Sequence, residues 1–92
     1  MIHLEERHLK IIKEILSQAP IKFYAFGSRV KGNHQKFSDL DLCFKDPVDP
    51  KIIRDIKFAF EDSNLPFKVD VLDYNKCDKS FIELIENTLV EI

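Results

Sequence analysis

Tryptophan is absent from this chain, and glycine, cysteine and methionine are scarce: two, two and one in 92 residues. The two cysteines, Cys43 and Cys77, form no Cys-x-x-Cys pair and no Cys/His cluster, which argues against a zinc site. A disulfide stays open on sequence alone. In a reducing compartment two unpaired thiols are expected, Cys43 being a small buried residue of an apolar strand. No apolar run reaches the roughly 18 residues needed to cross a bilayer. The N-terminal MIHLEERHLK has neither the basic start nor the continuous apolar stretch of a secretory signal. The expected location is therefore cytoplasmic, with no membrane partner. A basic excess is missing too: 14 basic residues against 16 acidic ones leave a net charge of −2. General nucleic-acid binding needs a phosphate-neutralising surface, so no direct nucleic-acid partner is expected.

What is present is the composition of a folded protein, 45% hydrophobic and 33% charged with eight phenylalanines, and residues 1–92 read as one small domain. Leu4, Leu9, Ile12, Ile15 and Leu16 recur at helical spacing over residues 4–17. After Pro20, IKFYAF (21–26) reads as a buried strand that Gly27-Ser28 ends. DLDLCF (39–44) alternates strictly, so leucines take one face of a second strand and aspartates the other. Asp49-Pro50 is a helix start, with Ile52, Ile53, Ile56, Ala59 and Phe60 inward before Asn64 and Pro66 end it. FKVDVLDY (67–74) reads as a third strand, Val69 and Val71 on one face, Asp70 and Leu72 on the other. A last helix spans about Lys79 to Asn87, and the tail TLVEI is a candidate edge strand. The fold class is α+β, a small mixed β-sheet covered by helices.

The chemistry concentrates in YAFGSRVKGNHQKFSDLDLCF (24–44), which holds both glycines and the D-x-D. Asp39 and Asp41 are two apart on a strand and project from one face. Asp70 lies mid-strand opposite the valines, so three carboxylates share a patch if the two strands are neighbours. Two such charges about 4 Å apart repel by roughly 4 kcal/mol at an effective dielectric of 20. A retained proton or a bound cation relieves that repulsion, and hard oxygen donors favour Mg²⁺. Gly27 ends a strand where backbone can approach a ligand closely, and Ser28 offers a hydroxyl and an N–H to phosphate oxygens. Arg29 and Lys31 either add positive charge at this mouth or are solvated loop residues. Gly32 fits a turn.

Gly27-Ser28, ten further residues, then Asp39-x-Asp41 resembles the signature of the DNA polymerase β-like nucleotidyltransferase superfamily. With "FGSRVKG", "SDLDL" and "VDVLD", nearly the whole chain is similar to the minimal nucleotidyltransferases (MNT proteins) of prokaryotes. The resemblance implies the polymerase β-like fold, Gly27, Ser28 and Arg29 as nucleotide-binding residues, and Asp39, Asp41 and Asp70 as catalytic carboxylates holding two Mg²⁺ ions. It implies ATP as substrate, AMP as the transferred group and pyrophosphate as the leaving group. It further implies a partner: such proteins pair with HEPN-type toxins, transfer AMP to a toxin tyrosine and act as the antitoxin. Two other readings stand beside it, an antitoxin that neutralises its partner by contact alone and a small-molecule nucleotidyltransferase.

Other residues read as structural. Asp73 falls on the valine face, and Asp46 and Asp49 are loop and cap residues. His3 and His8 are five apart on a helix, one more than would pair them toward one metal. His34 and Ser38 belong to the loop before the D-x-D, and Tyr24 is core or a platform for a base. The apolar positions of the last helix and tail serve either the core or a homo- or hetero-oligomer interface.

Overall fold

A computed structural model describes residues 2–32 and 38–92. His34 falls outside the described residues. Helix α1 (Glu6–Leu16) begins two residues later than the apolar pattern suggests, so His3 precedes it. Strand β1 (Phe23–Phe26) is followed at once by a single helical turn, α2 (Ser28–Lys31). Strand β2 (Leu40–Phe44), helix α3 (Pro50–Glu61) and strand β3 (Val69–Asp73) follow in the expected order. Helix α4 (Lys79–Ile85) is shorter than expected and runs on as a 3-10 turn over Glu86–Thr88. The tail forms the two-residue strand β4 (Val90–Glu91).

The sheet order is β3-β2-β1-β4, with β2 antiparallel to β1 and parallel to β3. Strand alternation sends the two faces to two apolar clusters. Phe23 and Ala25 of β1, with Leu40, Leu42 and Phe44 of β2, meet Ile12 and Leu16 of α1 and Ile53, Ile56 and Phe60 of α3. This is the main core, and Ile12, Leu40, Leu42 and Ile56 are fully buried in it. On the other face Phe26 and Cys43 pack with Ile85 of α4, flanked by Tyr24, Tyr74, Phe81 and Leu89. Asp41 shares that face, directly across from Phe26, and is half-buried. The second cluster thus supports one end of the acidic face and leaves the other open.

Local chemistry sets the element boundaries. Asp49 caps α3 by accepting from the Lys51 N–H at 2.9 Å, and Pro50 sits in the first turn. Asp73 ends β3 and accepts from the Asn75 N–H at 3.0 Å, capping a 3-10 turn as its structural reading anticipates. Gly32 closes α2 in the left-handed region at φ 84°, and a Cβ there would come within 3.1 Å of the His3 ring.

Candidate active site

The site begins where β1 stops. Gly27 has φ 85° and ψ −154°, a conformation essentially restricted to glycine. Its carbonyl accepts from the N–H groups of Val30 and Lys31, both at 3.1 Å, which folds Ser28–Lys31 into one turn. The same glycine touches the next functional residue: a Cβ on it would lie 2.6 Å from Asp41 Oδ2. Gly27 is thus required twice, once by its dihedrals and once by the carboxylate packed against its Cα.

Asp41 sits on the central strand of this region. Across the antiparallel pair it faces Phe26, and across the parallel pair it faces Asp70. Adjacent strands lie roughly 4.8 Å apart, so the Asp41 and Asp70 side chains rise side by side from one face. Asp39 precedes β2, two residues from Asp41 on the same side, and both Asp39 and Asp70 are exposed. Desolvation raises the pKa of Asp41, and the charges of Asp70 and then Asp39 raise it further. The structure thus brings together Gly27, Asp39, Asp41 and Asp70, with Ser28 opening the adjoining turn.

Whether a divalent cation suits these residues depends on their donors. They are hard carboxylate oxygens whose mutual repulsion a cation would relieve, which fits Mg²⁺. Among the described residues no three His, Cys, Asp or Glu side chains already converge on one point in a ligating arrangement. The set is an open acidic patch rather than a closed cage, and this suits an ion bound together with substrate phosphates.

Arg29 has a place that the sequence did not disclose. Its side chain is only 5% exposed, turned inward rather than toward the mouth of the site. Nε donates to the Ser38 carbonyl at 3.0 Å and Nη1 to the His3 carbonyl at 3.2 Å. The guanidinium lies 4.2 Å from the centroid of the Phe67 ring, and the Arg29 carbonyl accepts from His3 N–H at 2.8 Å. Burial lowers its pKa from the ordinary value, and an arginine remains charged under such a shift. One side chain therefore ties the N-terminal segment, α2 and the approaches to β2 and β3 together beneath the acidic patch. Lys31, by contrast, is exposed.

Of the remaining candidates, Asp46 is exposed in the loop before α3. His8 meets Phe67 edge-on at 5.6 Å, on the core side of the molecule. Tyr24 and Tyr74 both face the Lys45 ammonium, at 5.0 and 4.8 Å from their ring centroids.

A glycine-ended strand leading into a short helical turn, set against acidic residues on two neighbouring strands, defines a nucleotidyltransferase class of protein. The profile described as "Polymerase beta, Nucleotidyltransferase" matches residues 10–92. The chain is 39% identical over 95 aligned positions to the probable protein adenylyltransferase MntA of Haemophilus influenzae, covering 99% of this chain and 83% of that protein. Among solved structures, a toxin–antitoxin crystal structure with AMP-PNP superposes with a TM-score of 0.64 at 19% identity, over 96% of this chain and 72% of that one. A tyrosine-to-alanine mutant of the MntA–HpeT toxin–antitoxin superposes with a TM-score of 0.62 at 18% identity, over 97% and 72%. The chain belongs to the polymerase β nucleotidyltransferase family, on its MntA-type antitoxin branch, and its expected α+β fold is the one observed.

Proposed function

We propose that this protein is a Mg²⁺-dependent protein adenylyltransferase that moves AMP from ATP to a tyrosine hydroxyl of an HEPN-type toxin and thereby acts as its antitoxin. The observation that carries this reading is the register of Asp41 opposite Asp70, with Gly27 packed against the Asp41 carboxylate. It is supported by the likeness to a probable protein adenylyltransferase and to toxin–antitoxin structures, one of them with AMP-PNP.

In this reading the Gly27–Ser28 turn holds the triphosphate, using backbone N–H groups and the Ser28 hydroxyl. Asp39, Asp41 and Asp70 would hold two Mg²⁺ ions, which supply charge neutralisation for the attacking and leaving oxygens of an in-line displacement. The acceptor oxygen bonds to the α-phosphorus as the bond to the bridging oxygen breaks, and pyrophosphate leaves with that electron pair. Asp70, exposed at the edge of the patch, receives the hydroxyl proton. Arg29 serves the nucleotide indirectly, by fixing α2 and the Ser38 carbonyl from below.

The test is position-specific labelling with the purified HEPN-type toxin proposed as its partner. ATP labelled at the α-phosphate should leave its label on the toxin, and ATP labelled at the γ-phosphate should release its label as pyrophosphate. Toxin neutralised without acquiring α-label would replace this reading with an antitoxin acting by contact.

A further inference from the structure

The chain bends tightly ahead of α1. The Leu4 N–H donates to the Ile2 carbonyl at 3.2 Å, a bond two residues back that folds the chain into a γ-turn centred on His3. Among the described residues no non-glycine has positive φ, so the turn is of the common inverse kind. Ile2 and Leu4 pack against the main core and pin the bend on either side of His3. His3 itself is exposed.

That bend meets α2 at three points. The His3 N–H donates to the Arg29 carbonyl at 2.8 Å, and the His3 carbonyl accepts from Arg29 Nη1 at 3.2 Å. The His3 ring lies against Gly32, where an added Cβ would come within 3.1 Å of Nε2. The last carbonyls of a helix have no partner inside it. The Arg29 carbonyl is one of these, since α2 ends at Lys31, and His3 supplies it with a donor. A helix of four residues has too few bonds to hold its own shape, so α2 keeps the orientation its neighbours give it. The Gly27–Ser28 end of α2 is the part read as holding the triphosphate. Val30 and Lys31 both bond back to the Gly27 carbonyl at 3.1 Å, so a shift at Arg29 or Gly32 reaches Ser28 within one turn.

We infer that His3 is a positioning residue for the nucleotide: the bend at Ile2–Leu4 is a strap that fixes the α2 turn in its triphosphate-binding orientation, and docking of the strap sets the affinity for ATP. The inference rests on the reading that the Gly27–Ser28 turn holds the triphosphate, and it adds the element that orients this turn. His3 lies ahead of residues 10–92, over which the family profile matches. Asp41 and Asp70 belong to the sheet and keep their places when the strap is released.

Calorimetric titration of the full chain with ATP and Mg²⁺, beside His3→Pro and His3→Ala chains, tests this. Proline lacks the N–H that the Arg29 carbonyl accepts, and its fixed φ suits the centre of an inverse γ-turn, so the path of the chain is kept. His3→Pro should weaken ATP binding about ten-fold. His3→Ala keeps the N–H and loses only the ring against Gly32, and it should weaken binding about three-fold. In both chains the number of sites per chain should stay unchanged. A merely structural role would act the other way, partial unfolding lowering the number of sites while the folded fraction keeps its Kd. An unchanged Kd in His3→Pro, or in His3→Ala should the proline chain not fold, would overturn the inference and leave Gly27–Ser28 as the triphosphate turn. Failure of the unaltered chain to bind ATP would remove that reading of the turn and this inference with it.

Discussion

Gly27 shows how one residue type can be demanded by two constraints at once. Its φ of 85° with ψ −154° opposes any side chain, and so does Asp41 Oδ2, which a Cβ at this position would approach to 2.6 Å. Gly27→Ala should cost about 1–3 kcal/mol of stability, read by denaturant unfolding, and should also weaken ATP binding by displacing Asp41. Cys43 offers a second residue-level check. Burial pushes its thiol up to about 11, Lys45 opposing and Cys77 reinforcing the shift. At pH 8 only roughly a thousandth of it is thiolate, so a thiol reagent should modify the partly exposed Cys77 first and reach Cys43 only on unfolding. The meeting of the Gly-Ser turn with the D-x-D strand was legible in the sequence because it depends on spacing along the chain. The inward turn of Arg29 was not, since its partners Ser38, His3 and Phe67 come from three separate segments.

At the scale of elements, caps and clamps decide where the site's supports begin and end. Asp49→Ala removes the acceptor for the Lys51 N–H and should destabilise the protein by about 1 kcal/mol, with transfer activity unchanged. Arg29→Ala removes the guanidinium donors to the Ser38 and His3 carbonyls and empties the space over Phe67. It should cost about 2–3 kcal/mol in denaturant unfolding and reduce ATP affinity through the displaced α2 turn. The long helices were legible from apolar periodicity and from the Asp49-Pro50 start. The ends of α1 and α4 were not, because Leu4 keeps the helical rhythm outside α1, and Glu86–Thr88 tightens to 3-10 geometry without a proline or glycine to signal it.

Across the whole molecule the decisive fact is strand order. Alternation along the chain marks the acidic faces of β2 and β3, but only tertiary structure makes them parallel neighbours with Asp41 opposite Asp70. The same order leaves β3 at the edge. Concentrating carboxylates this way works against folding when no cation is present. Asp41→Asn should therefore stabilise the metal-free chain by up to about 1 kcal/mol, and a thermal melt should lose the stabilisation that Mg²⁺ and ATP give the unaltered protein. Transfer itself is the most direct test of the acidic patch. With α-labelled ATP, Mg²⁺ and the proposed toxin partner, the unaltered chain should label the toxin, and the Asp41→Asn chain should bind the toxin without labelling it. Equal labelling by both chains would contradict the assignment of this patch as the reaction centre.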